Sequence, residues 1–104
     1  MIIEMRIYTL HCGSIPAYLA VYQSDGMAIQ LRHLPRLLGS FTSDIGPLNQ
    51  VVYLWGYEDL AERSRCRAAL VQDPLWRPYV EMIRGFIQTQ ESRILLPTSF
   101  SPIH

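Results

Sequence analysis

The 104-residue chain contains no lysine, and charged residues of both signs make up only 17% of it. All nine basic residues are arginines, and nine acidic residues balance them, so the formal net charge is zero. Without excess positive charge, the chain lacks the electrostatic footprint of a nucleic-acid-binding protein. Because soluble domains typically carry about 25% charged residues, the shortage indicates that part of the surface is covered by a partner. We therefore expect self-association and no binding to nucleic acid.

Long apolar runs and informative cysteine spacings are also missing. No stretch approaches the ~20 apolar residues of a membrane span, and the N-terminal residues lack the basic and apolar segments of a signal peptide. Cys12 and Cys66 have neither metal-binding nor redox spacing. We expect a single domain over residues 1–104, with reduced cysteines, no membrane span and a cytoplasmic location.

The sequence has no Walker loop, nucleophile elbow, dinucleotide fingerprint or zinc pattern. His11 and Cys12 are neighbours, but two adjacent ligands without further ones are too few for a metal site. We therefore expect no cofactor and no bound metal.

Strand and helix signals are present in a regular order. Residues 2–10 alternate apolar and polar side chains, as a strand does, and apolar residues at helical spacing follow from Ile15 to His33. Gly26 lies on that apolar stripe. It either lets the helix approach a sheet closely or, together with Asp25, divides the helix in two. Residues 37–42 and 49–57 predict the second and third strands.

The second half of the chain completes the pattern. Asp59 and Glu62 predict a capping box that opens a helix ending near Asp73 and Pro74. The next helix has the apolar stripe Trp76, Tyr79, Val80, Ile83, Phe86 and Ile87, and residues 91–96 predict an apolar fourth strand. The order β-α-β-β-α(α)-β predicts an α+β, ferredoxin-like fold with a four-stranded antiparallel sheet and helices on one face.

The chain ends in an extended C-terminal arm over residues 97–104. We expect this arm to be ordered, because Phe100 would otherwise lie in water.

The run from residue 49 to residue 57 is the most informative segment. Because strand side chains alternate, one face carries Asn49, Val51, Tyr53, Trp55 and Tyr57, and the other carries Val52 and Leu54. If Val52 and Leu54 face the helices, the aromatic face needs a different cover. A second copy packed sheet against sheet supplies one, so we expect a homodimer. Replacing Trp55 by glutamate should then disrupt that dimer.

The same aromatic face would hold the candidate binding residues, which are Arg6, Tyr8, Asn49, Tyr53, Trp55 and Tyr57. In one interpretation they wall a mostly apolar pocket, in which Asn49 and Tyr53 bind a carbonyl or phenol and Arg6 holds an anion. In the other, which we prefer because aromatic residues are common in interfaces, the rings fill a dimer core and Glu4 pairs with Arg6.

Two further polar residues are weighed in the same way. Arg63 could reach back to the pocket, although we favour pairing with Asp59 or Glu62, which is common on a helix, or capping of a sheet end. His33 ends the stripe of the first helix, where a structural role is favoured over catalysis.

The sequence resembles the NIPSNAP family over nearly its whole length. The matching segments are residues 4–8, Gly13, residues 39–41, 46–49 and 51–57 with Arg63, residues 73–76 and residues 97–102, and their order and spacing make the resemblance specific. It implies a dimeric α/β barrel built from two ferredoxin-like protomers. It implies no agreed catalytic residues, and eukaryotic members are linked to mitochondria, vesicle traffic and mitophagy signalling.

The chain departs from the family at Tyr53, a position that is commonly His in such sequences. A phenol titrates near pH 10, whereas an imidazole titrates at about 6.5. We therefore do not expect Tyr53 to take the proton-transfer role that a histidine at this position could have.

Two classes of function follow. The first is a homodimeric barrel that binds a small, largely apolar molecule between its sheets, with cofactor-independent oxygenase or isomerase chemistry as an extension by fold analogy. The second is a non-enzymatic interaction or adaptor module that acts through its exterior and residues 97–104, with a filled barrel. Haem binding ranks last, because His11 and His33 lie on the wrong elements.

Overall fold

Four antiparallel strands form one sheet in the order β2-β3-β1-β4. The computed structural model describes residues 1–104, with strands β1 (Ile2–Leu10), β2 (Leu37–Thr42), β3 (Gln50–Tyr57) and β4 (Ile87–Leu95). The helices are α1 (Ile15–Val21), α2 (Met27–His33), α3 (Leu60–Gln72) and α4 (Trp76–Ile83). The predicted α+β, ferredoxin-like order is confirmed. None of these helices combines the length and the apolar character needed to cross a membrane.

The last strand begins earlier than predicted. A 3-10 turn over Arg84–Phe86 ends the helical region, and Ile87 already pairs with Leu10 in the sheet. Phe86 and Ile87 follow Ile83 at helical spacing, so the sequence pattern predicted that the helix would continue through them. In the structure Phe86 lies in the 3-10 turn and Ile87 is the first residue of β4. The β4 strand is also mostly exposed, because it forms an edge of the sheet.

The first helical region changes its winding without ending. A π-helical turn over Tyr22–Gly26 joins α1 to α2, and the Tyr22 hydroxyl donates to Gln30 Oε1 at 2.7 Å. Gly26 does permit a close approach, but to α4 and not to the sheet. A Cβ at Gly26 would lie 2.5 and 2.7 Å from the two Cε atoms of Tyr79.

The aromatic face of β3 lies under the helices, so our prediction that it would be free is wrong. Val51, Tyr53, Trp55 and Tyr57 are each at most 1% exposed. They pack in one cluster with helix residues that include Tyr18, Tyr22, Leu70 and Tyr79. Alternation defines two faces but not which one is covered. Large rings bury about 150–250 Å² each, so the chain gains more by covering them than by covering Val52 and Leu54.

This orientation also corrects the expected effect of Trp55→Glu. Trp55 lies in the core of one protomer. The substitution should therefore prevent folding of the protomer, because it would bury an unpaired carboxylate there. It does not report on a contact between copies.

The opposite side of the sheet is apolar at its centre. Register places Ile3, Met5 and Ile7 of β1 beside Val52 and Leu54 of β3 on this side, and we call these five residues the open face. The helical residues of the core cluster pack against the aromatic side instead. Within the protomer Ile3 and Ile7 are already buried, whereas Met5, Val52 and Leu54 remain partly exposed.

A buried carboxylate ties β1 to α3 and β4. Glu4 has no exposed surface, and it accepts hydrogen bonds from Arg63 Nε at 3.0 Å, Arg63 Nη2 at 2.8 Å, Arg6 Nη1 at 3.0 Å and Ser92 Oγ at 2.6 Å. Burial alone would raise the pKa of Glu4. The hydrogen bonds from Arg63 and Ser92 and the charges of Arg6 and Arg67 outweigh it and lower the pKa to about 2.

The contacts of Glu4 test two of the ion pairs predicted from the sequence. The Glu4–Arg6 pair is confirmed, at 3.0 Å. The local pairing of Arg63 with Asp59 or Glu62 is wrong, because Arg63 spans 59 positions to reach Glu4 with both nitrogens of its fork. A buried carboxylate needs those donors more than an exposed one does.

The ends of the helices use other polar groups. Asp59 Oδ1 accepts from the Glu62 N–H at 2.8 Å, as the predicted cap requires, but the Glu62 carboxylate accepts from the Glu58 N–H and not from that of Asp59. His33 Nε2 lies 2.8 Å from Asp73 Oδ2. That contact joins the end of α2 to the loop before α4, which is a structural role.

The arm over residues 97–104 keeps its apolar side chains in the open. Phe100 is 86% exposed, and Leu96 just before the arm is 77% exposed. A single backbone hydrogen bond, from Ser101 N–H to Thr98 O, closes a turn within the arm. Our reason for expecting order, the burial of Phe100, is therefore wrong within one protomer.

We expect Glu4→Gln to lower stability and to remove a pH dependence. The pKa of Glu4 is 4.5 ordinarily and about 2 in the fold, so its ionised form stabilises the fold above about pH 4.5. That stabilisation is lost as pH falls toward 2. The variant should lose about 3 kcal/mol of unfolding free energy at pH 7 and show a flatter acid profile. Urea unfolding followed by tryptophan fluorescence, at fixed protein concentration, measures both quantities.

The matched control for Glu4 is Glu81→Gln, which removes an exposed pair with Arg84 at 3.1 Å. That change should cost less than about 1 kcal/mol. Equal losses in the two variants would contradict the role assigned to Glu4.

We expect Gly26→Ala to destabilise the protein by about 1–2 kcal/mol. Overpacking a buried ring costs about 1–3 kcal/mol, and the better helix propensity of alanine offsets only part of this. Gly85→Ala is the control, since a Cβ there meets no atom within 4 Å. Thermal unfolding compares the two variants, and a Gly26→Ala protein as stable as Gly85→Ala would show that Tyr79 does not need the space.

Candidate functional site

A cavity of about 370 Å³ lies between the sheet and the helices. Trp76, Val80 and Ile83 of α4 form its apolar wall, together with Ile87. Five tyrosines, at positions 8, 18, 22, 53 and 79, supply aromatic surface and hydroxyl groups. The remaining lining is polar and consists of Arg6, Gln30, Arg67, Arg84, Gln88, Thr89 and Gln90. Small-molecule binding sites usually have a volume of about 300–1,000 Å³, mainly apolar walls and a few polar groups.

Contacts among the rings fix the tyrosines in place. The Tyr18 and Tyr53 hydroxyls share a hydrogen bond of 2.9 Å. The Tyr53 ring meets Tyr8 edge to face at 5.7 Å between centroids and lies 5.3 Å from Tyr22. The position of Tyr53 on the central strand β3 therefore sets the positions of the rings around it.

Burial keeps these phenols protonated. It raises the pKa of Tyr18 to about 12, although the hydrogen bond with Tyr53 acts in the opposite direction. Burial is also the largest cause that raises the pKa of Tyr22, Tyr53 and Tyr79 above its ordinary value. Near pH 7 these tyrosines can donate hydrogen bonds but do not act as bases.

No histidine, carboxylate or cysteine lines the cavity. Elsewhere in the chain, no group of three or more His, Cys, Asp or Glu side chains is arranged to hold a metal ion. The cavity therefore offers apolar surface, hydrogen-bond donors and positive charge.

The positive charge comes from arginines next to Glu4. Arg6 Nη1 donates to Glu4, and Arg6 Nε donates to the Tyr8 hydroxyl at 2.9 Å. Arg67 Nη1 lies 3.9 Å from Glu4 Oε1, and this buried nitrogen has no hydrogen-bond partner. Three arginines and one carboxylate leave the group, which we call the Glu4 cluster, with a net charge of +2.

The structure brings together some of the residues proposed from the sequence and separates others. Arg6, Tyr8 and Tyr53 line the cavity, but under the helices and not between two sheets. Trp55 and Tyr57 belong to the solid core beside it. Neither Asn49 nor Arg63 lines the cavity.

Asn49 and Arg63 have other tasks. Asn49 has a positive φ of 62° at the turn into β3, and its carbonyl accepts a hydrogen bond from the Leu10 N–H at 2.8 Å. Asparagine tolerates this left-handed conformation better than most residues do. Arg63 directs its fork at Glu4.

Sequence reasoning missed several lining residues, although some left a signal. Tyr18 and Tyr22 are four residues apart on the first helical region, and Arg67 follows Arg63 at the same spacing, so each pair shares a helix face. Gln88, Thr89 and Gln90 were missed because the predicted fourth strand began at residue 91, after all three.

Comparison with known proteins gives one consistent result. The sequence profile of the NIPSNAP family matches residues 3–102. Protein NipSnap homolog 2 of Danio rerio is 34% identical over 102 residues, which is 98% of this chain and 35% of that protein. The chain thus spans about a third of the length of this relative, and 41% of the length of the Dictyostelium discoideum NipSnap homolog.

Two solved structures match along most of both chains. A NIPSNAP family protein of unknown function from Agrobacterium tumefaciens is 42% identical with a TM-score of 0.98, covering 100% of this chain and 94% of that one. An uncharacterised NIPSNAP-like domain protein from Burkholderia xenovorans is 48% identical with a TM-score of 0.94, covering 97% and 88%. Since the family profile and these relatives each cover nearly the whole chain, the chain belongs to the NIPSNAP family.

Proposed function

We propose that this protein is a homodimer in which each protomer binds one small, largely apolar molecule in the cavity between its sheet and its helices. The cavity itself carries the proposal. It opens to solvent beside the exposed residues Gln88, Thr89 and Gln90, whereas its inner wall is aromatic. A concave site of about 370 Å³ with this lining has the size and composition of a small-molecule site.

The polar groups support a ligand with one or two hydrogen-bond acceptors. The Tyr79 hydroxyl has no hydrogen-bond partner, and Gln30 accepts through Oε1 from Tyr22, which leaves its amide nitrogen available as a donor. Trp76, Val80 and Ile83 present apolar surface to the remainder of the molecule. This balance suits a flat, mostly carbon skeleton with polar atoms at its edge.

Binding is the activity that we propose, without acid–base catalysis by the protein's own side chains. An isomerase needs a group that accepts a proton near neutral pH. The cavity is lined by arginines, protonated tyrosines, amides and a threonine, none of which accepts a proton in that range.

The dimer is proposed on separate grounds, from the side of the sheet away from the cavity. The open face is apolar along both central strands, whereas Glu91 and Arg93 form an ion pair at 2.7 Å on the same side of the edge strand β4. An apolar centre with a polar margin is the usual composition of an interface. A second copy placed against the same face, about a two-fold axis, covers it.

Non-enzymatic adaptor function is the second candidate, and the exposed arm favours it. An exposed Phe100 with an exposed Leu96 nearby provides apolar surface for a protein partner. The two candidates make different demands on the molecule. Phe100→Ser should weaken an adaptor and leave small-molecule binding unchanged.

We expect Leu54→Glu to convert the dimer into a folded monomer. Leu54 is partly exposed in one protomer, so a carboxylate there can stay solvated in the monomer but would be buried unpaired in the dimer. Sedimentation velocity should give about twice the 12.0 kDa chain mass for the unchanged protein and the chain mass for the variant. Ala61→Glu, on an exposed position of α3, is the control and should remain dimeric. A monomeric unchanged protein would refute the proposed assembly.

We expect 2-naphthol to bind in the cavity and Val80→Phe to weaken that binding at least tenfold. The larger ring at position 80 takes up the volume that the probe needs. Quenching of tryptophan fluorescence measures the affinity, because Trp76 lines the cavity. Val71→Phe is the control at a 67% exposed position and should leave the affinity within about twofold. Equal affinities in the two variants would place the probe elsewhere.

A further inference from the structure

We propose that the cavity selects molecules that carry a carboxylate on an apolar body, and that Arg67 is the residue that binds the carboxylate. This inference rests on the proposed ligand-binding function and adds the chemical class of the ligand. The uneven pairing of charges in the Glu4 cluster carries it.

The Glu4 carboxylate is paired mainly with the other two arginines. It accepts four hydrogen bonds, two from Arg63, one from Arg6 and one from Ser92, and three of the four end on Oε2. Arg67 faces the other oxygen, Oε1, but its Nη1 lies 3.9 Å away, which is beyond hydrogen-bond distance. Glu4 therefore pairs with Arg67 only through a long ionic contact.

Arg67 is the arginine of the Glu4 cluster with the weakest pairing. It lies on α3 one turn after Arg63, and its Nη1 is buried without a hydrogen-bond partner, 3.9 Å from the nearest Glu4 oxygen. Leaving a buried donor on a charged group unpaired is unfavourable. A ligand that brings an acceptor removes that penalty.

The shape of the group favours a carboxylate over other acceptors. The guanidinium is planar and presents paired N–H groups that match the two oxygens of a carboxylate. The Arg67 side chain is 22% exposed and lines the cavity, so a bound molecule can reach it.

The surroundings add to the preference for an anion. The Glu4 cluster has a net charge of +2, and no acidic side chain lines the cavity to repel a second carboxylate. In a partly buried site this charge is weakly screened. Arg6 contributes charge, but two of its nitrogens already donate to Glu4 and Tyr8.

The other arginine of the cavity provides a matched control. Arg84 also lines it, but its side chain is 71% exposed and pairs with Glu81 at 3.1 Å. A solvated, paired arginine gains little from a ligand carboxylate. Replacing Arg84 by glutamine removes one positive charge from the cavity lining, as replacing Arg67 does.

The decisive experiment compares probes of one shape and different charge. Isothermal titration calorimetry at pH 7 with 2-naphthoate, 2-naphthamide and 2-naphthol is carried out on the unchanged protein, Arg67→Gln and Arg84→Gln. The unchanged protein should bind 2-naphthoate at least tenfold more tightly than 2-naphthamide. Arg67→Gln should lose that difference while its affinity for 2-naphthamide changes less than threefold. Arg84→Gln should keep the difference.

The outcomes separate this inference from the proposed function. Equal binding of 2-naphthoate and 2-naphthamide by the unchanged protein overturns the carboxylate preference but leaves the ligand-binding proposal standing. A preference that survives in Arg67→Gln and disappears in Arg84→Gln overturns the assignment of the residue. No binding of any of the three probes overturns both proposals.

The test does not depend on the folding of one variant. The comparison of probes on the unchanged protein needs no substitution, and Arg67→Lys offers a second one that keeps the charge but lacks the planar fork. Arg67→Lys should retain part of the preference for 2-naphthoate, because a point charge attracts the carboxylate without bidentate geometry. If a folded Arg67→Lys protein loses the whole preference for 2-naphthoate, the preference depends on the planar guanidinium and not on charge alone. If it retains the whole preference, bidentate binding of the carboxylate is refuted.

Discussion

The buried carboxylate of Glu4 is the interaction on which the rest of the structure depends. It lies on a central strand under the helices, with no exposed surface, and is ionised because arginines from the sheet and from α3 surround it. Those contacts fix how α3 lies over the sheet and hold Ser92 of the edge strand against β1. They also bring more positive charge to one place than Glu4 can neutralise. A feature that stabilises the fold thereby prepares a site for an anion.

Polar contacts fix the positions of the rings that line the cavity. The Tyr18 hydroxyl is fixed by Tyr53, and the Tyr22 hydroxyl by Gln30. Rings with fixed hydroxyl groups cannot collapse freely into the space beside them. The π-helical turn ending at Gly26 adds a second constraint, since it lets the Tyr79 ring lie against the helix backbone. Close packing and an adjoining cavity thus arise from the same set of aromatic residues.

The two sides of the sheet have separate tasks in the function that we propose. The cavity lies on the helix side and is lined by residues of one protomer, whereas the proposed dimer contact lies on the open face. Assembly and ligand binding can therefore be changed independently. Membership of the NIPSNAP family agrees with the fold but brings no activity with it, because one fold serves many functions. The case for a ligand rests on the lining residues of this chain.

Local patterns in the sequence determined the order of the elements, the bounds of β2, the cap at Asp59 and the pairing of Glu4 with Arg6. Each depends on residues within a few positions of one another, where backbone geometry alone fixes the distance. The same patterns placed Arg6, Tyr8 and Tyr53 on one face. Only the tertiary structure decided which face the helices cover, that Arg63 turns to Glu4, and that Arg67, Tyr18 and Tyr79 meet around a cavity. These outcomes depend on competition between large rings for burial and between arginines for one carboxylate, and a sequence pattern contains neither distance nor volume.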